Sequence, residues 1–70
     1  MFLKIKRIEE PFFNQKGNFN IIGDSYVNEE SIMLANVKKV LNPGTNEKVS
    51  ISEIVLTSGD IIYAKGDVEL

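Results

Sequence analysis

The 70-residue sequence contains no cysteine and no histidine, and these two absences exclude several kinds of site. Without cysteine there are no disulfides and no thiolate metal sites. Without histidine, the commonest zinc ligand and the commonest general base at neutral pH are missing. Small domains bury too little surface to be very stable and usually rely on a disulfide, a metal or a partner chain. A partner subunit is therefore the stabilising device that we expect.

The chain also lacks a strong charge of either sign and a long apolar run. Its formal net charge is -2 and its pI about 5.0, whereas nucleic-acid-binding proteins normally carry a basic excess. We therefore do not expect a long nucleic acid as a partner. No apolar run approaches the ~20 residues that span a membrane, and the first charges follow apolar residues, unlike those of a secretory signal. These features predict a cytoplasmic protein that does not bind membranes.

Short runs of alternating polar and apolar residues predict a single all-β domain over residues 1–70. Pro11 is expected to end the first strand because it cannot donate a ladder hydrogen bond, and residues 15–18 and 42–48 have the composition of turns. The predicted fold is a small antiparallel meander or an SH3-like barrel. The predicted strands with clear boundaries are residues 2–9, 18–23, 49–57 and 60–65.

Residues 29–41 fit either of two structures. Met33, Val37 and Val40 have a helical spacing, and Asn28 is a suitable N-cap. The alternative is two short strands, joined by a tight turn at Ala35-Asn36 and favoured by the β-branched residues. Periodicity leaves both open, so at most one short helix is expected in the fold, and it falls here.

Residues 54–64, IVLTSGDIIYA, predict a hairpin that is apolar on both faces. A two-residue turn at Ser58-Gly59 pairs Val55 with Ile62. Because one small sheet has one core side, apolar pairs on both faces require a second covered surface. Such patches often mark interfaces, so we expect a homo-oligomer. The expected interface residues are Val49, Ile51, Val55 and Ile62.

No arrangement of side chains in the sequence is typical of catalysis or of a metal site. Neighbouring residues of a strand point to opposite faces, so the two pairs of adjacent glutamates do not form a catalytic dyad. Asp60 and Asp67 lack the ligand spacing of a calcium loop. We therefore expect no enzymatic activity, no cofactor and no metal.

Cationic and aromatic residues indicate a ligand more clearly. Lysines and an arginine in the first strand would form a cationic stripe with Lys38 and Lys39 if the two segments lay side by side. Aromatic rings stack on bases while cations hold phosphate, which suits a small nucleotide. The alternative is that the lysines only solubilise a surface and the aromatics cap the core. The predicted ligand-binding residues are Lys4, Lys6, Arg7, Phe12, Phe13, Asn18, Asn20 and Tyr26.

The stretch from Ser31 to Leu70 resembles small flagellar proteins of the FlbD type. It shares a strand and turn, a second strand, a polar loop, a hairpin of the form I-x-L-x-x-G and a terminal V-E element. The chain is also similar to small, oligomeric phage β proteins that sequester cyclic-nucleotide immune signals. The resemblance implies strands at residues 29–41. The matching residues are Ile54, Leu56, Gly59, Val68 and Glu69.

These observations predict a non-enzymatic homo-oligomer. The most specific hypothesis is a phage-type anti-defence protein that sequesters a cyclic-nucleotide immune signal at subunit interfaces, in the cytoplasm of a host. The alternative is a protein-interaction module, either an inhibitor that docks on a larger enzyme or a flagellar-type accessory protein. The expected partners are thus a second copy of the chain and either a small nucleotide or a host protein.

Overall fold

The computed structural model describes residues 1–68, which form one five-stranded antiparallel sheet without an α-helix. The strands are β1 (Phe2–Phe13), β2 (Phe19–Asn28), β3 (Ile32–Asn42), β4 (Glu47–Leu56) and β5 (Ile61–Lys65). Their order in the sheet is β2-β1-β5-β4-β3, so β3, β4 and β5 form a meander that the β1–β2 hairpin joins through β1. The predicted all-β class is confirmed.

Strand β1 is longer than its alternation predicts. It continues through Pro11 to Phe13, so the expected end at the proline is wrong. Pro11 lies in an irregular stretch between the pairs Ile8–Ile21 and Phe13–Phe19. A proline is tolerated at such an irregularity because no regular ladder bond is lost there.

Strand β3 settles the ambiguity of residues 29–41 in favour of strand. It runs without a break through Ala35 and Asn36, so the turn expected there is wrong. Before it, Glu29–Ser31 form a single 3-10 turn, and the Asn28 side chain accepts a hydrogen bond from the backbone N–H of Glu30 at 3.1 Å. Asn28 is thus a cap, although of one short turn rather than of a helix.

The sheet has a buried cluster on each of its faces, at different positions along the strands. On one side, here called face A, Ile54, Ile62 and Ala64 pack with Ile5. Because side chains alternate along a strand, Ile51 points to the opposite side, here called face B, where it is fully buried. The chain itself therefore covers both faces of the β4–β5 hairpin.

The end of the β1–β2 hairpin provides the cover on face B. Ile8 of β1 is 1% exposed and pairs with Tyr63 on that face. Phe13 is buried and its ring centroid lies 4.8 Å from that of Phe19. The ammonium of Lys65, the β5 neighbour of Ile51, lies 5.1 Å from the centre of the Phe19 ring.

The loops of the β1–β2 and β3–β4 hairpins pack against each other beside this cluster. A Cβ atom added to Gly44 would lie 2.5 Å from Cα of Gly17, so the two backbones touch. Asn42 is 5% exposed, donates from Nδ2 to the carbonyl oxygen of Gly17 at 2.8 Å, and accepts from the N–H of Gly44 at 3.0 Å. This contact joins the hairpins without a ladder between β2 and β3, which lie at opposite ends of the strand order.

A buried serine forms hydrogen bonds to the backbone of residues 66–68, which follow β5. Ser52 is 0% exposed; its hydroxyl donates to the carbonyl oxygen of Gly66 at 2.8 Å and accepts from the N–H of Val68 at 2.9 Å. Val68 then packs against the face A cluster. Glu69, the other terminal residue of the flagellar resemblance, lies outside the described residues.

Candidate functional site

The β4–β5 hairpin turns through three residues instead of the two predicted. The N–H of Gly59 donates to the carbonyl oxygen of Leu56 at 2.9 Å. The N–H of Leu56 donates to the carbonyl oxygen of Asp60 at 2.8 Å. Gly59 has a φ of 93°. These features describe a type I turn followed by a glycine bulge. The predicted register is therefore wrong by one residue.

This slip changes which apolar residues lie at the surface, because a shift of one residue moves a side chain to the other face. Val55 pairs with Ile61 on face B, whereas Ile62 points into the face A core. Ile51 and Ile62 are 0% and 8% exposed, so the predicted interface is corrected for these two residues. Val49 and Val55 are only half-buried, and their place in an interface stays a prediction.

An uncovered row of apolar side chains crosses face B. Leu34 of β3 pairs with Val55 of β4, which pairs with Ile61 of β5. Leu34 and Ile61 are 49% and 50% exposed, although the same face is fully covered at Ile51. Ile22, at the bulge of β2, is 54% exposed and lines the same groove as Ile61. We call Leu34, Val55, Ile61 and Ile22 the apolar row.

A shallow groove of about 380 Å³ adjoins the apolar row at Ile22 and Ile61. Its polar lining consists of Arg7, Glu9, Glu10 and the Tyr63 phenol. Two acids against one base give the groove an acidic balance. An apolar floor with a charged margin is the usual composition of a protein-binding surface.

The Tyr63 phenol is held in its neutral form. Burial raises its pKa above the ordinary value of 10.0, and the carboxylates of Glu10 and Glu53 raise it further. A neutral phenol beside carboxylates acts as a hydrogen-bond donor or acceptor toward a bound group. It offers no nucleophile near neutral pH.

Phe12 packs against Tyr63 from a strained backbone position. Its φ is 72°, a conformation that bulky side chains rarely adopt. The two ring centroids are 4.9 Å apart, with an angle of 66° between the planes. Such strain costs on the order of 1–3 kcal/mol and persists only where surrounding structure enforces it. The packing restricts the Tyr63 ring at the side of the groove.

The expected cationic stripe does not form. β5 and β4 lie between β1 and β3, so Lys38 and Lys39 are not next to the lysines of β1. Nζ of Lys38 instead donates to Oε2 of Glu53 at 3.0 Å, and this hydrogen bond raises the pKa of Lys38. The expectation is wrong because it assumed that β1 and β3 are neighbours.

Three of the eight predicted ligand residues do come together, on the exposed side of the β1–β2 hairpin. Lys4 lies directly opposite Tyr26, and Lys6 opposite Asp24. Tyr26 is 69% exposed, and Phe2 next to it is 66% exposed. Nζ of each lysine lies 3.7 Å from a carboxylate oxygen of Asp24, so part of the positive charge is balanced.

The other five predicted ligand residues lie apart from this set. Arg7 lines the groove, Phe12 lies beside it, and Phe13 is buried in the face B cluster. The N–H of Asn18 closes the hairpin tip by donating to Oδ1 of Asn14 at 3.0 Å. Asn20 is half-buried in β2. These residues therefore do not form a single site with Lys4, Lys6 and Tyr26.

The sequence prediction missed Leu34, Ile61 and Ile22 as site residues. Ile61 was not predicted because the assumed two-residue turn placed it on the wrong face. The signal was present, since glycine in third place suits the left-handed position of a three-residue hairpin loop. Leu34 and Ile22 belong to strands whose partners the sequence does not reveal.

The described part of the chain, residues 1–68, holds no group of three or more acidic side chains placed to bind a metal ion. Among the same residues, no helix has the length and apolar character needed to cross a membrane. Comparison with protein families, curated proteins and solved structures finds no match. Function is therefore inferred from the arrangement of the side chains.

Proposed function

We propose that this protein is a non-enzymatic binding module that docks on a partner protein through the apolar row and the adjoining groove. The observation that supports this function is the alignment of Leu34, Val55 and Ile61 on three adjacent strands, uncovered on a face that the chain covers elsewhere. Exposed apolar patches with polar margins are typical of protein-interaction sites.

Covering the row contributes part of the free energy that a protein interface needs. Full burial of a leucine or isoleucine side chain contributes roughly 1.5–3 kcal/mol. Leu34, Ile61 and Ile22 are each about half exposed, so covering each contributes about 1 kcal/mol. Three such contributions supply a measurable part of the binding free energy of a micromolar complex, which is about 8 kcal/mol.

The margin of the row indicates the chemistry of the partner. Glu9 and Glu10 line the groove, while Arg7 is its single cation. The whole chain has a net charge of -2. A partner segment that presents apolar side chains together with a lysine or arginine therefore complements both the row and the groove.

Site-specific photocrosslinking tests this function. A photoreactive amino acid is placed at position 61 and, as a control that is also exposed but lies outside the groove on the β1–β2 hairpin, at position 26. We expect a saturable protein adduct at position 61 that is lost when Val55→Asp is introduced. Equal adducts at both positions, or no adduct at position 61, would contradict the proposal.

A second candidate function is sequestration of a signalling nucleotide, as in phage anti-defence proteins. The pairing of Lys4 with Tyr26, with Lys6 and Phe2 beside them, favours it. It ranks second because Asp24 lies near both ammonium groups. Calorimetry with a panel of cyclic di- and oligonucleotides tests it, with Tyr26→Ala as the variant that should lose binding. No binding across the panel would remove this candidate. Both candidates are compatible with the cytoplasmic location that the sequence features predict.

A further inference from the structure

We infer that two copies of this chain pair through the edges of their β3 strands, as an antiparallel dimer with Val37 on the two-fold axis. β3 is an end strand of the sheet and pairs only with β4 among residues 1–68. From Leu34 to Asn42 its ladder to β4 has no irregularity. A long regular edge presents unpaired backbone groups that bind another strand.

The other edge of the sheet is protected in a way that the β3 edge is not. β2 has a register shift at Ile22, a φ of 152° at Gly23, and a charged residue, Asp24, next to them. Bulges and charges are the features by which edge strands avoid pairing. β3 has its irregularity near its start, at Met33. It also carries charged residues, Lys38, which is bonded to Glu53, and Lys39, so the difference from β2 is the regular ladder along the rest of the strand.

The side chains of β3 select the register. In an antiparallel pair about an axis normal to the sheet, a residue meets its own copy at the axis and positions symmetric about the axis face each other. With Val37 at the axis, Val37 faces Val37, Leu34 faces Val40, and each Lys39 faces Ala35. Val37 is 50% exposed and lies at the middle of the strand.

The neighbouring registers are less favourable. An axis at Lys38 or Lys39 places a lysine opposite its own copy, and like charges directly opposite each other are destabilising. An axis at Asn36 places Leu34 opposite Lys38. The register at Val37 avoids both, and Lys38 is already bonded to Glu53 within its own chain.

This edge is distinct from the docking surface but continuous with it. Val37 pairs with Ser52 and therefore belongs to face A, whereas Leu34 belongs to face B. In the dimer, the series Ile61, Val55 and Leu34 continues into Val40 of the second copy. The edge pairing thus extends the apolar row. The dimer is nevertheless tested at positions 35, 37 and 39, and the docking surface at positions 55 and 61.

Disulfide trapping tests the register directly, because the chain contains no cysteine of its own. Facing residues of an antiparallel pair have Cα atoms about 4.5–5.5 Å apart, within the range for a disulfide. Val37→Cys should therefore crosslink to its own copy. Lys39→Cys is the matched control on the same face; its copies are four residues out of register, roughly 13 Å apart along the strands, and should not crosslink.

A mixture of Ala35→Cys and Lys39→Cys provides a second test of the register. These positions face each other across the inferred dimer, so the mixed disulfide should form at least about tenfold faster than the Lys39→Cys homodimer. Equal rates for Val37→Cys and Lys39→Cys, or failure of the mixed pair to form, would overturn the inference.

Solution mass tests the assembly without a crosslink. Light scattering should give twice the 7.9 kDa chain mass for the wild type. Val37→Lys, which places two ammonium groups at the axis, should halve that mass while circular dichroism shows an unchanged fold; Tyr26→Lys, on the far hairpin, should stay dimeric. A monomeric wild type would overturn the inference. An open-ended polymer would also overturn it, because it would indicate head-to-tail pairing of unlike edges.

Discussion

Replacing Gly44 by alanine tests the contact that holds the two long hairpins together. The added methyl group would lie 2.5 Å from both Cα and N of Gly17 and 2.8 Å from the carbonyl carbon of Lys16. All three are backbone atoms, so no side chain can move aside to make room. The two loops must separate, and the buried Asn42 side chain then loses the bond that its Nδ2 donates to the carbonyl oxygen of Gly17.

The expected loss follows from opposing contributions. Forcing a methyl group into a packed site costs about 1–3 kcal/mol, and leaving the Asn42 amide unpaired costs about 1–3 kcal/mol more. Gly44 lies outside the left-handed region, so alanine there also stabilises by about 0.4–1 kcal/mol through the unfolded chain. The net loss is about 3 kcal/mol, a large fraction of the roughly 4–10 kcal/mol expected for a domain of this size.

Equilibrium unfolding in urea, followed by far-ultraviolet circular dichroism, measures this loss. The melting temperature should also fall, by about 4–8 °C for each kcal/mol. Gly59→Ala is the matched control: an added Cβ there meets nothing within 4 Å, but φ is 93°. That variant carries only the conformational cost of a left-handed residue, about 1–2 kcal/mol.

The two substitutions separate steric contact from backbone conformation. If Gly44→Ala is as stable as the wild type, or loses less than Gly59→Ala, the loops are not in the contact described and the cover of face B is wrong. If Gly44→Ala lowers the free energy of unfolding more than Gly59→Ala does, and the slope of that free energy against urea concentration is unchanged, the destabilisation arises from the contact with Gly17. An altered dependence would indicate that the compactness of one state changed.

Two further predictions concern polar side chains, the buried Ser52 and the partly buried Tyr63. Ser52→Ala removes both bonds to the terminal segment, so we expect a loss of about 1–3 kcal/mol and faster amide exchange at Val68; unchanged exchange there would contradict the role of the hydroxyl. In a Tyr26→Phe background, the absorbance of Tyr63 should titrate with a midpoint above 10.0. Because the pKa of Tyr63 is raised in the folded state, the neutral phenol contributes stability below pH 10, and this contribution is lost as the pH rises through the raised pKa. Tyr63→Phe removes the titrating group, so the free energy of unfolding of that variant should fall less over the same pH range. A midpoint at or below 10 refutes the burial of the phenol.

Local patterns in the chain predict its class correctly. Alternation at Leu3, Ile5 and the residues of β4 indicates strands because the period of two arises within each strand. Glycine, asparagine and proline mark the loops at 14–18 and 43–46 for equally local reasons. The apolar character of both faces of the last hairpin was also visible, and it signalled a second covered surface.

Tertiary contacts decided what covers that second surface and what remains open. The cover on face B depends on Gly17, Asn42 and Gly44 meeting across more than twenty intervening residues, and no local pattern encodes such a meeting. A single bulge at Gly59 decided whether Ile61 or Ile62 reached the surface, because a slip of one residue exchanges the faces of a strand. The hairpin therefore has two faces largely covered by its own chain, and the exposed remainder, the apolar row, is the candidate site.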